Sequence, residues 1–178
     1  NCSPHFKNVL ISDNIAGWVG GAYIHAYWGY THPIFENVTI TGNESWHENG
    51  GEGGIGIAHD ALLTLVNSIV SDNIPWEIKV NGGNANTLNI DYCNIEGGID
   101  EDFGIFIDET FTVNWGDGNI DADPMFTAPE TGDYTIMWGS PCINAGSTDS
   151  DGDGFSYPDD LDDQDEDGSL KDMGAYQT

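Results

Sequence analysis

Short β-branched stretches of alternating polarity recur along the first half of the chain. Val38-Thr39-Ile40-Thr41 alternates apolar and polar side chains with a period of two, which is typical of a strand with one buried face. A helical 3.6-residue pattern is absent from these stretches. Three of them align without gaps over residues 5–14, 34–43 and 64–73, and a weaker fourth copy covers 88–98. The pattern predicts stacked strands.

Asparagine recurs at two equivalent positions of the three copies, with steps of 29 and 30 residues. The two columns are Asn8, Asn37 and Asn67, and Asn14, Asn43 and Asn73. A repeat of this length accommodates three short strands and three bends, and coils that pair about 4.8 Å apart stack their equivalent side chains. Asparagine at a bend hydrogen-bonds along the stack and tolerates left-handed backbone. We therefore predict an all-β fold, a right-handed parallel β-helix of about four to five coils over residues 1–117.

The sequence changes character at Gly118. The phrases NIDADPMF, GDYTI, GSPCINAG and DMGAY follow one another between residues 119 and 176, and YCNIEGG precedes them at 92–98. This series resembles the pectate-lyase-like, right-handed parallel β-helix domains of large secreted bacterial surface proteins, where similar phrases close the helix. The resemblance implies secretion, a cell-surface location and a C-terminal cap over residues 118–178 within the same structural domain. It implies little about activity, because this fold carries enzymes, adhesins and stalks alike.

Two acidic runs lie inside this tail. Residues 149–160, DSDGDGFSYPDD, fit the D-x-D-x-D-G pattern with an acid at position twelve, and 163–168, DQDEDG, repeat its first half. Alternating carboxylates on a tight turn converge on a hard cation, so we predict structural Ca²⁺ in this tail. The predicted ligands are Asp149, Asp151, Asp153 and Asp160 in the first run and Asp163, Asp165 and Asp167 in the second. A solvated acidic loop is the alternative.

The charge balance supports a cation and restricts the partners. The chain has 31 acidic residues against 3 lysines and arginines, a net charge of −28. Such a surface repels nucleic acid and anionic lipid and attracts divalent cations, although a saline habitat also explains it. No apolar run reaches the roughly 20 residues of a membrane span. Three cysteines, Cys2, Cys93 and Cys142, show no zinc spacing. Buried free thiols are the favoured interpretation of Cys93 and Cys142, with one disulfide as the alternative.

No catalytic set is apparent. Lys7, Lys79 and Lys171 are not expected to cluster, which argues against the basic residue and calcium of a uronate lyase. The acids concentrate in the tail and loops instead of converging on neighbouring coils. Glu44, Glu48, Glu52 and His47 crowd one loop, where a solvated loop is favoured over an acid–base pair.

Three tryptophans follow the asparagines of the second column, Asn14, Asn43 and Asn73, at similar distances along the chain. Trp46 and Trp76 follow theirs by three residues and Trp18 by four, so stacking would bring the indoles into one column. Such a strip is suited to sugar rings. The alternative is that the indoles pack over the bends or on each other.

We therefore predict a non-catalytic extracellular module: a stalk, adhesin or filament subunit with a calcium-stabilised cap. A carbohydrate-binding or polysaccharide-degrading module, with a polysaccharide as partner, is the alternative. The first coil shows no cap, so its unpaired edge is expected to bind another copy of the chain or coils that precede it. The abrupt beginning at Asn1 leads us to expect a trimmed piece of a longer protein.

Overall fold

The computed structural model is an all-β parallel solenoid, and the predicted fold class is confirmed. The structure describes residues 2–26, 29–47, 50–81, 86–99, 104–107 and 111–176. The solenoid makes about 3 turns, fewer than the number of coils predicted. About 3 turns connect four layers, and a fifth layer only begins, with Phe111–Trp115 and the bridge between Asn94 and Ile120.

Four layers of strands follow one another along the chain. They are β1 (His5–Ser12), β2 (Ile15–Ala16) and β3 (Ala22–His25); β4 (Ile34–Thr41), β5 (Glu44–Ser45) and β6 (Ile55–Ala58); β7 (Leu62–Val66), β8 (Ile69–Ser71) and β9 (Ile78–Val80); and β10 (Asn86–Asp91), β11 (Asn94–Ile95) and β12 (Ile105–Ile107). β7 and β8 both pair with β4, and β10 and β11 pair with β7 and β8 in the same sheet, whereas β2 pairs with β5 in a separate sheet. β13 (Phe111–Trp115) begins a fifth layer on β10. In the tail, β14 (Phe126–Ala128) and β15 (Asp133–Ile136) pair antiparallel around a 3-10 turn, Pro129–Thr131.

The inward-facing side chains form continuous apolar columns. Phe35 pairs in register with Leu65 and Leu65 with Ile90, and all three are buried. Burying a large aliphatic or aromatic side chain stabilises a fold by about 1.5–3 kcal/mol. The repeated burial along these columns, with parallel pairing of the backbone, holds the layers together.

Glycine pairs between the strands allow the backbones of successive layers to lie in close contact. A Cβ atom on Gly21 would lie 2.3 Å from the carbonyl oxygen of Gly54, and one on Gly53 would lie 2.5 Å from the backbone of Ile74. No other residue fits at these bends without moving the backbone. This requirement explains why the glycine pairs recur with the repeat.

The two asparagine columns play different roles. Asn14 Nδ2 donates to Asn43 Oδ1 at 2.9 Å, and Asn43 Nδ2 donates to Asn73 Oδ1 at 2.9 Å, so the predicted side-chain ladder is confirmed for this column. In the other column, Asn37 and Asn67 have the expected left-handed backbone, with φ of 52° and 50°. Their side chains bind the tail instead of each other, so the ladder prediction is wrong there.

Candidate functional site

The tail lies along the side of the stack, whereas we predicted a cap on its end. The outward-facing Leu10 and Ile69 belong to a second apolar cluster, outside the solenoid core, whose other members come mainly from the tail. Its buried tail residues are Phe126, Tyr134, Ile136, Cys142 and Met173. Apolar side chains on the outer face of a sheet require a cover, which is why the tail runs alongside. The division of the chain at residue 118 stays a prediction.

Hydrogen bonds tie the tail to all four layers. From the first layer to the fourth, they join Tyr134 Oη to the Asp13 carboxylate (2.7 Å), Asn37 Nδ2 to the Asp172 carbonyl (2.8 Å), Ser147 N to Asn67 Oδ1 (2.7 Å) and Asn94 Nδ2 to the Ala122 carbonyl (2.7 Å). Desolvation, with the adjacent Asp13, raises the pKa of Tyr134 to about 12, so its hydroxyl stays a donor. The tail therefore acts as a brace across the layers.

The buried Glu36 of β4 is the centre of a charge cluster between the solenoid and the tail, in which Lys171 is also buried and His5 and Lys7 are partly exposed. Its carboxylate lies 2.7 Å from Lys7 Nζ, 3.2 Å from Lys171 Nζ and 2.9 Å from His5 Nε2. Burial opposes ionisation of Glu36, but its hydrogen bonds and charge interactions with the two lysines outweigh burial and lower its pKa. Our expectation that the lysines do not cluster is wrong for Lys7 and Lys171, because the folded-back tail brings Lys171 to β4.

This cluster does not present a free base. Lys171 is almost fully buried, and its Nζ also donates to Ser150 Oγ at 2.9 Å. A groove of about 560 Å³ lies beside it, between the tail and the sheet that contains β1, β4, β7 and β10, and its lining includes His5, Asp91 and Asp149. A buried lysine held by a carboxylate and a hydroxyl is suited to fastening the tail, and not to removing a proton from a substrate.

The first acidic run partly converges as predicted. One carboxylate oxygen each from Asp149, Asp151 and Asp153 lies within 4.8 Å of the others. Backbone turns hold them there: Asp149 Oδ1 accepts from Gly152 N, and Asp151 Oδ1 accepts from Asp153 N. Asp160, the predicted fourth ligand, is not a member of this group.

The second run is more buried than the first. Asp163 is 1% exposed; its Oδ1 accepts from Ser150 N at 2.7 Å, while its Oδ2 has no hydrogen-bond partner among the described residues. Desolvation, together with Asp167, raises the pKa of Asp165 to about 6. Asp163 therefore contacts the residue between Asp149 and Asp151, but the seven predicted ligands do not form one group.

The tryptophans lie on neighbouring layers without forming a single column. Ala16 pairs with Ser45, so Trp18 stands level with His47 and stacks on it, with ring centroids 3.7 Å apart. Trp46 lies over Gly17 instead. Trp76 packs against Phe106, at 4.9 Å between centroids, and Lys79 lies 4.9 Å above its ring. Trp18 and Trp46 remain largely exposed, at 64% and 66%.

The acids of the loop around His47 do not form an acid–base pair among the described residues. Glu52 is buried and accepts from Asn81 Nδ2, whereas Glu44 is exposed in β5 and His47 stacks on Trp18. Glu48 lies outside the described residues.

The cysteines are free thiols, with Cys93 and Cys142 buried as expected. Cys93 Sγ accepts from Ser68 N at 3.4 Å, as Ser68 Oγ accepts from Val38 N one layer earlier. Desolvation raises the pKa of its thiol to about 12, so it stays protonated. A buried neutral thiol of this kind is structural.

The structure also contains an acidic cavity that the sequence did not predict. It has a volume of about 340 Å³ and is lined by Asp72, Glu96, Asp121 and Asp123. Nearby, burial is the main cause that raises the pKa of Glu77 to about 8. These acids come from separate bends of successive layers, so no short motif marks them, and only an exact register would have brought them together.

Comparison with known proteins does not assign the chain to a family. No family model matches the chain, and neither curated proteins nor solved structures give a significant match. Within the described ranges, no helix is long and apolar enough to cross a membrane.

Proposed function

We propose that this chain is a non-catalytic, secreted structural or adhesive module of a cell surface: a stalk, adhesin or filament subunit. The observation that carries this proposal is the brace formed by the tail. A segment bonded to Asp13, Asn37, Asn67 and Asn94 spans all four layers and resists their separation. The most buried lysine serves the same attachment through Glu36. These features favour rigidity over turnover.

The same proposal includes structural Ca²⁺ in the tail. Calcium takes six to eight oxygen ligands, and carboxylates are its usual protein donors. Asp149, Asp151 and Asp153 supply converging oxygens, and the buried Asp163 has one carboxylate oxygen without a partner in the described part of the chain. Leaving such a group buried and unsatisfied is costly, and a cation beside this loop would offset that cost. The expected role is to order the tail against the coils.

Thermal unfolding in calcium and in chelator tests the calcium claim. Calcium at 100 times its Kd stabilises the folded state by about 2.7 kcal/mol, so we expect a clearly higher Tm in Ca²⁺ than in chelator. Identical transitions under the two conditions would remove calcium from the proposal. A parallel series in NaCl of equal ionic strength separates site binding from screening of the −28 net charge.

A carbohydrate-binding function is the second candidate. Exposed indoles at Trp18 and Trp46 on adjacent layers favour it, because aromatic faces stack on sugar rings. A glycan array with the intact chain and Trp46→Ala is the test, and Trp138→Ala is the matched control, since Trp138 is 95% exposed elsewhere on the tail. Saturable binding lost only in Trp46→Ala would favour this function over a purely structural one.

A further inference from the structure

We propose that the N-terminal edge of the solenoid binds a further parallel coil that carries an asparagine at the bend equivalent to Asn14. The edge consists of β1, β2 and β3. This inference rests on the proposed structural function and specifies the partner that a stalk or filament module would hold. Three observations on the first layer support it.

The first observation is the unused side of each strand. β1 pairs only with β4, β2 with β5 and β3 with β6 among the described strands. The other edge of each strand has no strand partner in the described structure. A row of unpaired backbone N–H and C=O groups is a template for adding a parallel strand.

The second observation is an apolar core left uncovered at this end. Phe6 pairs with Phe35 in register and contacts it edge to face, with centroids 5.1 Å apart. Phe6 is nevertheless 41% exposed, whereas Phe35, one layer further in, is 3% exposed. The difference is the cover that the next layer supplies. A coil placed on β1 would complete the same column.

The third observation is the direction of the asparagine ladder. Each amide donates to the next layer: Asn14 N and Nδ2 to Asn43 Oδ1, and Asn43 N and Nδ2 to Asn73 Oδ1. Asn43 Nδ2 also donates back to the carbonyl oxygen of Ile11 in the first layer. The ladder ends on Glu77, whose carboxylate accepts from Asn73.

Asn14 is exposed, and on its free side its amide has hydrogen-bonding groups that no described residue uses. Its Oδ1 accepts no hydrogen bond from a described residue, and its second Nδ2 hydrogen lacks the carbonyl that Ile11 provides for Asn43. An asparagine in a preceding coil would donate to this Oδ1, and the strand before that asparagine would supply the carbonyl. The required partner is thus a coil of the same kind as the second layer.

The far end of a second copy does not fit this requirement. In the last full layer the register step falls to 25 residues, since Leu63 pairs with Leu88, and the bend there carries Gly97 and Gly98 in place of asparagine. That end also lies beyond the point where Glu77 terminates the ladder. The observations therefore favour a coil with the 29-to-30-residue spacing over head-to-tail stacking of this chain.

A synthetic peptide with the sequence of residues 34–45 serves as the probe, because it carries β4, β5 and the ladder asparagine. Fluorescence anisotropy of the labelled peptide, titrated with the intact chain, is expected to show saturable binding. The same peptide with Asn43→Ala keeps its backbone hydrogen bonds to Asn14 but loses the bond from Asn43 Nδ2 to Asn14 Oδ1, and is expected to bind about fivefold more weakly. Phe6→Glu in the protein is expected to abolish binding, and Trp138→Glu to leave it unchanged.

Hydrogen exchange locates the peptide: the amides of β1 are expected to be slowed by it and those of β13 to be unaffected. Three results would overturn the inference: no binding up to about 1 mM peptide, equal affinity of the two peptides, or protection outside the first layer. Polymerisation of the chain by itself, seen by sedimentation, would assign the edge to a second copy. Saturable sugar binding that depends on Trp46 would count against the proposed structural function without changing these peptide results.

Discussion

Lys171 of the tail and Glu36 of β4 lie 135 residues apart in the chain and form an ion pair, with 3.2 Å between Nζ and Oε1. The two side chains are only 4% and 3% exposed. A buried pair is costly to assemble, and losing one member leaves an uncompensated charge. The pair is therefore a sensitive position in the attachment of the tail to the coils.

We expect Lys171→Met to lower the free energy of unfolding by about 3 kcal/mol, at the low end for a broken buried pair because Lys7 still faces Glu36. Urea unfolding followed by tryptophan fluorescence measures this. Lys7→Met is the control, since Lys7 is much more exposed and its loss should cost less. The double variant Lys171→Met with Glu36→Met should recover most of the stability. Equal effects of the two lysine variants would show that Lys171 does not anchor the tail.

The coils could be predicted because the sequence repeats there. The contacts of the tail could not, because the tail has no repeat. Asn37 and Asn67 could be placed at equivalent bends from their spacing, and their left-handed backbone follows from the residue type. That their side chains bind Asp172 and Ser147 did not follow, because those partners lie in a segment without a period. Periodic pairing fixes which residues are level with each other, but not what covers the outer face.

The candidate metal loop shows the same division. Asp149, Asp151 and Asp153 converge because one local turn holds them, and a local pattern predicts a local turn. Asp163 contacts Ser150 across thirteen residues and is 1% exposed, which no pattern within the loop specifies. Trp18 does not lie level with Trp46, because Trp18 follows Asn14 by four residues whereas Trp46 follows Asn43 by three.

Glu77 predicts a decline in stability with rising pH. Its pKa is about 8 in the folded chain against an ordinary 4.5, so the folded state holds a proton that the unfolded state releases between these values. Its contribution is fully present below about pH 4.5 and is lost as pH rises through 8. We expect Tm to fall over this window and Glu77→Gln to flatten the trend, because the amide replaces the protonated acid. Glu44→Gln, at an exposed position, should leave the slope unchanged, and an unaltered slope in Glu77→Gln would contradict the assignment.

The asparagine ladder predicts unequal costs for equivalent residues. Asn43 is buried and bonds to both neighbouring layers, so Asn43→Ala removes the acceptor of Asn14 N and Nδ2 and one of the donors to Asn73 Oδ1, and should cost about 2–4 kcal/mol. Asn14→Ala, at the exposed end, should cost no more than about 1 kcal/mol. Chemical unfolding of the two variants measures the difference. Similar costs would show that the ladder contributes little beyond the backbone pairing.

The triple variant Asp149→Asn, Asp151→Asn and Asp153→Asn separates cation binding from loop structure. Each asparagine keeps a side-chain oxygen that accepts the turn hydrogen bonds from Gly152 and Asp153, so the loop should stay folded. Without cation, three fewer crowded negative charges should leave the Tm in chelator unchanged or raise it.

The rise in Tm on adding Ca²⁺ should disappear in this variant and persist in Asp117→Asn, which changes an exposed acid remote from the loop in sequence. Calorimetric titration with Ca²⁺ gives a second readout, because the heat of site binding should vanish with the carboxylates while nonspecific screening remains. A calcium response retained by the triple variant would move the site away from this loop. The buried Asp163 and Asp165 would then be the next positions to substitute.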